Sequence, residues 1–286
     1  MHEPRIPHRS SGAAASQSHQ TRRQAINPSP LIRRFSRNPL GRDLAVGDIH
    51  GYFSRLEQTL NQAGFDPARD RLFSVGDLAD RGPDCTAVLE WLAKPWFHPV
   101  CGNHDDYVCR YESCDRENWI QNGGGWFQQL TPGEQAAFAD HYRPLPLAIE
   151  VATPAGPVGL LHADCPFSSW QDLLDTLDAR VSGGKLRAIK NVCLWSRRRI
   201  EQLDESGVED LVALVVGHTP VGRPTRLGNV YYIDTGGWYP DEGGYFTLLD
   251  LHTLMPLALG HPDEPPERAM FHHAIRDHAD PLSRRS

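Results

Sequence analysis

Hydrophobic positions along the chain gather into short apolar runs that stop at loops of glycine and polar residues. Leu44, Ala45 and Val46 run into Gly47-Asp48, and Leu72, Phe73, Ser74 and Val75 run into Gly76-Asp77. Runs of this length ended by Gly-Asp predict buried strands whose carboxyl ends deliver a carboxylate into a loop. Between them Phe53, Leu56 and Leu60 recur at helical spacing over 52–63, closed by Gly64, so the segment predicts a βαβ unit. A helical stretch over 87–93, a strand around 97–101 and the loop Gly102-Asn103-His104-Asp105 repeat the rhythm. After a polar helical section over 117–141, strands are predicted at 148–152, at 158–161 ending on His162, at 211–216 ending on Gly217-His218, at 230–233 ending on Asp234, and at 245–249. Three strand ends of the first half converge on one edge, where open α/β sheets place their ligand sites.

Composition narrows this picture. A chain of 286 residues with no apolar run near the ~18 to 20 needed to cross a bilayer predicts one large domain and excludes a membrane-spanning reading. The six cysteines form no CxxC pair and follow no secretory segment, which fits reduced thiols in a cytoplasmic protein. The net charge of −7 is uneven: residues 1–42 hold eight arginines against Glu3 alone, leaving the remainder strongly acidic. Nucleic acid is therefore not an expected partner. Residues 1–42 read as a disordered basic arm, Arg- and Ser-rich as organelle transit peptides also are, 43–259 as the catalytic domain, and 260–286 as a polar tail.

Five segments carry the candidate chemistry: Gly47-Asp48-Ile49-His50-Gly51, Gly76-Asp77-Leu78-Ala79-Asp80-Arg81-Gly82, Gly102-Asn103-His104-Asp105, Leu161-His162-Ala163-Asp164 and Gly217-His218-Thr219-Pro220. Each places Asp, Asn or His directly after an apolar run and beside small residues. One such turn alone is ordinary; five in succession, all with metal-competent groups, are not. The mixed oxygen and nitrogen set suits Mn²⁺, Fe, Zn²⁺ or Ni better than an all-oxygen cage. Two ions would share a carboxylate, for which Asp77 in the middle segment is the natural bridge.

In this order and spacing the segments resemble the GDxHG, GDxxDRG, GNH(E/D), H and GH signature of the metallophosphoesterases. The likeness is to the phosphoprotein phosphatase family, and in particular to its bacteriophage lambda-type and bacterial serine/threonine phosphatases. Asn122-Gly123-Gly124-Gly125-Trp126-Phe127, Leu194-Trp195-Ser196-Arg197 and Tyr232-Ile233-Asp234-Thr235-Gly236 extend it, over about 43–251. The resemblance implies an α/β fold of two mixed sheets in a β-sandwich flanked by helices. It implies two divalent ions, most simply manganese, with Asp48 and His50 at the first, Asp77 bridging, and Asn103, His162 and His218 at the second. Arg81 and Arg197 would hold phosphate oxygens, and His104, oriented by Asp80, would be the general acid. The implied activity is hydrolysis of phosphoserine and phosphothreonine in phosphoproteins or phosphopeptides, with phosphotyrosine a further candidate, by in-line attack of a hydroxide between the metals. The chemistry is coherent: guanidinium offers a planar fork to two phosphoryl oxygens, and a poor alkoxide leaving group needs a proton that an imidazole can supply.

Asp105 stands where protein phosphatases usually carry Glu, and Gly-Asn-His-Asp is also what diadenosine tetraphosphate hydrolases carry. Those hydrolases typically lack the acid that Asp80 provides here, so monoesters are the expected substrates and dinucleoside polyphosphates the alternative. A non-catalytic binding module is a more distant one. Arg197 opens the run Arg197-Arg198-Arg199, which by itself reads as solvated surface. Trp126 and Phe127 read as core rather than a substrate wall, Asp234 as a structural hydrogen-bonding group, and Tyr107 receives no role.

Overall fold

The computed structural model describes residues 31–257, with Met1 and the backbone of His272–His273. In chain order the strands are β1 (Ile32–Phe35), β2 (Asp43–Val46), β3 (Arg71–Ser74), β4 (Phe97–Pro99), β5 (Ala148–Thr153) and β6 (Gly156–Leu160). They continue with β7 (Ala213–Val216), β8 (Thr225–Leu227), β9 (Val230–Tyr232), β10 (Leu248–Asp250), β11 (Met255–Pro256) and β12 (His272–His273). The helices are α1 (Phe53–Gln62), α2 (Val88–Leu92), α3 (Asn103–Cys109), α4 (Arg116–Gln121), α5 (Pro132–Tyr142), α6 (Trp170–Asp178), α7 (Gly183–Trp195) and α8 (Arg198–Gln202).

Two mixed sheets carry the fold, one ordered β11-β10-β2-β3-β4 and the other β1-β5-β6-β7-β9-β8-β12. Their strands are apolar on both faces because both faces are covered. In β2, Leu44 and Val46 pack beneath α1, α2 and α3, while Ala45 between them turns into the space between the sheets. In β7, Leu214 and Val216 pack beneath α6, α7 and α8, while Val215 meets Ala45 in the shared interior. Each such fully buried aliphatic side chain contributes roughly 1.5–3 kcal/mol. The predicted sandwich with helices on both outer faces is therefore what forms.

One boundary needs correction. Residues 32–35, assigned on sequence to the disordered arm, form edge strand β1, paired parallel with β5 from Ile32↔Ala148 to Phe35↔Val151. Ile32 is buried, the Phe35 ring meets Phe73 edge-on at 5.0 Å, and Arg34 pairs with Asp178 at 2.7 Å. Exposed Arg33 and Arg34 are the charges that shield an edge strand from pairing with another chain, and they hid the strand in a basic composition. Residues 2–30 of the arm and nearly all of the expected tail lie outside the described residues. The section over 117–141 is also divided, because Gly123, at φ 105°, ends α4 and a 3-10 turn precedes α5. Thr131 and Glu134 form a reciprocal capping box at the start of α5, with Pro132 in its first turn.

Strands β2, β3, β4, β6 and β7 all end at one edge, and the five motif loops follow them there. The sandwich thereby fixes the site.

Candidate active site

The loops are held in conformations that L residues rarely adopt. His50 (φ 45°), Asp77 (50°), Asp80 (73°), Arg81 (67°) and His218 (64°) all lie in the left-handed region. Each costs on the order of 1–2 kcal/mol, which the surrounding hydrogen bonds must overcome. Asp105 supplies three of them: its buried carboxylate accepts the amides of Gly102 (2.7 Å), Asp77 (2.9 Å) and Leu78 (2.9 Å). The Glu-to-Asp departure thus falls on an organiser of two loops. A side chain at Gly102 would collide with the Asp77 carboxylate, and one at Gly217 with that of Asp48.

The ring nitrogens of the buried histidines can be assigned from their partners. His50 Nδ1 faces Ala79 O at 3.0 Å and His162 Nδ1 faces Val75 O at 2.8 Å. A carbonyl only accepts, so both Nδ1 atoms carry the proton and both Nε2 atoms present a lone pair. Both lie near other acceptors: Asp77 Oδ2 is 3.5 Å from both Nε2 atoms, Asn103 Oδ1 is 2.7 Å from His162 Nε2 and 3.0 Å from His218 Nδ1, and His50 Nε2 also receives an Arg81 N–H at 2.8 Å. Acceptors aimed at one another, each histidine backed by a carbonyl, are the donor set of a cation. Burial, before any neighbouring charge, pushes all three imidazoles toward the neutral form, His218 down to about 2. Burial works to raise the Asp77 carboxyl, whereas His162, His104, His50 and His218 draw it down to the extent that they carry a proton, and the net shift is downward.

Ligand atoms of Asp77, His162 and His218 lie within 4.8 Å of one another, and so do those of His50, Asp77 and His104. Asp77 therefore belongs to both clusters, the position expected of a bridge. Asp48 lines the same cleft, yet its carboxylate accepts the His218 amide at 3.1 and 3.2 Å and lies outside both clusters. Burial, and then the charges of Asp234 and Asp77, push the Asp48 carboxyl well above the usual range. Asp234 accepts the N–H groups of Gly236 and Trp238 Nε1 on Oδ1, as a structural group would, but its buried Oδ2 has no partner among the described residues.

Within the His50–Asp77–His104 cluster, His104 Nδ1 donates to Asp80 Oδ2 at 2.6 Å, leaving Nε2 toward the cleft. Arg81 donates to His50 Nε2 (2.8 Å) and His104 Nε2 (3.3 Å), and its guanidinium lies 4.2 Å from the Trp238 ring centroid. Across the cleft Arg197 is exposed and makes no ion pair among the described residues. The run it opens is divided: Arg198 is exposed, whereas Arg199 is buried on Asp164 at 2.9 Å. The cleft encloses about 200 Å³.

A family model described as calcineurin-like phosphoesterase matches residues 42–241. The chain belongs to this family. Serine/threonine-protein phosphatase 1 of Salmonella typhimurium strain LT2 is 35% identical over 230 residues, covering 78% of this chain and 98% of that protein. A symmetrical bis(5'-nucleosyl)-tetraphosphatase of Dechloromonas aromatica strain RCB is 46% identical, but over 66 residues, 22% of this chain and 24% of that protein. Among solved structures, a Saccharomyces cerevisiae protein serine/threonine phosphatase with similarity to human phosphatase PP5 superposes with a TM-score of 0.55. It is 15% identical and covers 79% of this chain and 78% of its own, which supports the fold alone.

Calcineurin-like phosphoesterases use divalent metals, and this one has candidate ligand residues for them. Its fold gathers all ten residues singled out in the sequence at one edge. It also recruits groups that had been given no role: Tyr107, and Asn122 and Trp195 from two of the extending motifs, line the cleft. Phe127 is core as expected, but Trp126 is half-buried and donates its indole N–H to Asp80 Oδ1 at 2.6 Å, while Trp119 donates to Oδ2 at 2.7 Å. Nothing in their spacing pointed to that carboxylate; only the glycines ahead of Trp126 hinted at a tight approach.

Proposed function

We propose that this phosphoesterase is a metal-dependent phosphoprotein phosphatase acting on phosphoserine and phosphothreonine, with phosphotyrosine and aryl phosphates as further substrates. The observation that carries this reading is the Asp80–His104 pair at the metal-ligand clusters. An alkoxide is a poor leaving group and needs a proton in the transition state, whereas cleavage of a phosphoanhydride releases a far better one. A carboxylate-held imidazole facing the cleft is therefore of most use to a monoesterase. Similarity over nearly the whole of a serine/threonine phosphatase, against a quarter of a tetraphosphatase, supports the same choice.

In this reading Asp48, His50 and Asp77 hold one ion and Asp77, Asn103, His162 and His218 the other. Manganese is the preferred occupant of so mixed a ligand set. When bound, the ions supply positive charge to the phosphoryl group and lower the pKa of water toward neutrality. The remaining work belongs to the chain. His50 Nε2 has a single lone pair, so ligation and the Arg81 hydrogen bond exclude one another, and in the loaded enzyme Arg81 turns to a phosphoryl oxygen. Arg197 clamps the phosphate from the other wall. With Arg81 turned to the phosphate, His104 Nε2 is free to take up a proton, and the ring, its Nδ1 proton engaged by Asp80, gives that Nε2 proton to the departing oxygen. The six free thiols, four of them buried, fit a cytoplasmic setting.

The test is phosphate release by the metal-stripped protein after Mn²⁺ is restored, with a phosphoserine peptide and diadenosine tetraphosphate at equal concentration. Preference for the peptide is expected; preference for the dinucleotide would keep the metal site and replace the substrate class.

A further inference from the structure

Asp80 is fully buried and accepts three N–H groups: His104 Nδ1 (2.6 Å) and Trp119 Nε1 (2.7 Å) on Oδ2, and Trp126 Nε1 (2.6 Å) on Oδ1. The two indoles arrive from α4 and the 3-10 turn after it, a segment that contributes no metal ligand. Aromatic neighbours also fix their rings. Trp119 stacks on Tyr107 at 5.7 Å and 14° and packs against Phe127, while Trp126 meets Phe138 edge-on at 5.3 Å. A carboxylate with one partner can rotate about its own bond; one held at both oxygens cannot. Burial explains why Trp119 seeks an acceptor. It is a weaker reason for Trp126, which is only half-buried yet makes a short bond to the other carboxylate oxygen.

We infer that Trp119 and Trp126 are positioning residues for the general acid. Their two N–H groups lock the plane of the Asp80 carboxylate, which aims the His104 ring so that Nε2 faces the leaving oxygen. The inference rests on the role given to His104 above. It assigns a catalytic use to a tryptophan pair that otherwise reads as core.

The test uses the full-length, Mn²⁺-loaded protein and two substrates, a phosphoserine peptide and p-nitrophenyl phosphate, whose phenolate departs without a proton. Trp126→Phe keeps an aromatic ring and removes the donor. We expect kcat on the peptide to fall about tenfold, a part of the ~10² to 10⁴ that a positioned general acid supplies. The aryl phosphate should slow much less, and KM and bound metal should be unchanged. In an Asp80→Asn background the same substitution should add nothing, because its route to His104 is already altered. Equal slowing of both substrates, or an undiminished effect in that background, would overturn the inference. His104→Ala separates the two layers: loss of its own leaving-group dependence overturns the general-acid reading and this inference together. A split in His104→Ala with none in Trp126→Phe overturns this inference alone. Hydrogen exchange of the two indole protons gives a check that needs no tryptophan variant. Protection that drops in Asp80→Ala is expected; protection indifferent to Asp80 would mean packing alone.

Discussion

Strand β2 carries a buried aspartate at its first residue and another just past its last, and the fold treats them in opposite ways. Asp43 is fully buried and accepts two bonds from the Arg71 guanidinium, at 2.7 and 2.9 Å, with His252 on the same carboxylate at 3.1 Å. Asp48, 2% exposed, has Asp234 and Asp77 as like charges, Arg81 as a weaker opposing one, and a single backbone amide on its oxygens. One end of the strand matches each buried charge with a partner of opposite sign. The other concentrates carboxylates and lone pairs that only a cation can reconcile. The first arrangement secures the fold, and the second stores binding capacity at the expense of stability.

The comparison can be broken by exchanging charge at either end. Asp48→Asn should reduce turnover by more than the ~10 to 100-fold typical of a group that merely supports a ligand. Its metal-free form should nevertheless be at least as stable as the wild type. Burial and two like charges raise the Asp48 carboxyl, so its ionisation at neutral pH costs folding free energy, a cost that asparagine does not carry. Steady-state assays with thermal melts in chelator check both halves, and a large loss of metal-free stability would contradict the contrast. Asp43→Asn should do the reverse, leaving Arg71 without its full partner. The expected loss is about 3 kcal/mol of stability, with kcat near wild type, measured by denaturant unfolding alongside activity.

The smallest effect concerns His98, beside the Asp43 end, whose ring lies 4.5 Å from that of Phe35 and 5.3 Å from that of Phe73. Burial first, then Arg33 and Arg71, push this imidazole from 6.5 down to about 4. Between those values the unfolded chain takes a proton that the folded chain refuses, so stability falls as pH drops from 6.5 toward 4. The contribution is on the order of 1 to 2 kcal/mol after discounting for partial exposure. His98→Phe should flatten the stability profile in that window relative to wild type.

What could be read from the sequence follows from the same contrast. Strands buried on both faces print continuous apolar runs, and ligands at their carboxyl ends print Gly-Asp, Gly-Asn-His and Gly-His, so β2, β3, β4, β6 and β7 and the residues after them were legible. Strand β1 was not, because an edge strand spends two of its four positions on exposed arginines. Helix α6 left a usable trace in Trp170, Leu173, Leu174 and Leu177 at helical spacing, yet no motif drew attention to it. The bonds from Trp119 and Trp126 to Asp80 were illegible for a different reason: they span 39 and 46 residues, and no local periodicity encodes so distant a pairing. Asp105 lay between these cases, visible as a motif position but not as the acceptor of three amides.

The most direct test of the account is Asp77→Asn, assayed for phosphate release from a phosphoserine peptide and for bound manganese per chain. Asp77 Oδ2 lies 3.5 Å from Nε2 of His50 in one cluster and 3.5 Å from Nε2 of His162 in the other. The account predicts two ions per wild-type chain, fewer in a folded variant, and turnover lower by at least about 10³-fold, the several kcal/mol that bound metal charge contributes to the transition state. Wild-type turnover in Asp77→Asn would contradict a shared two-metal centre.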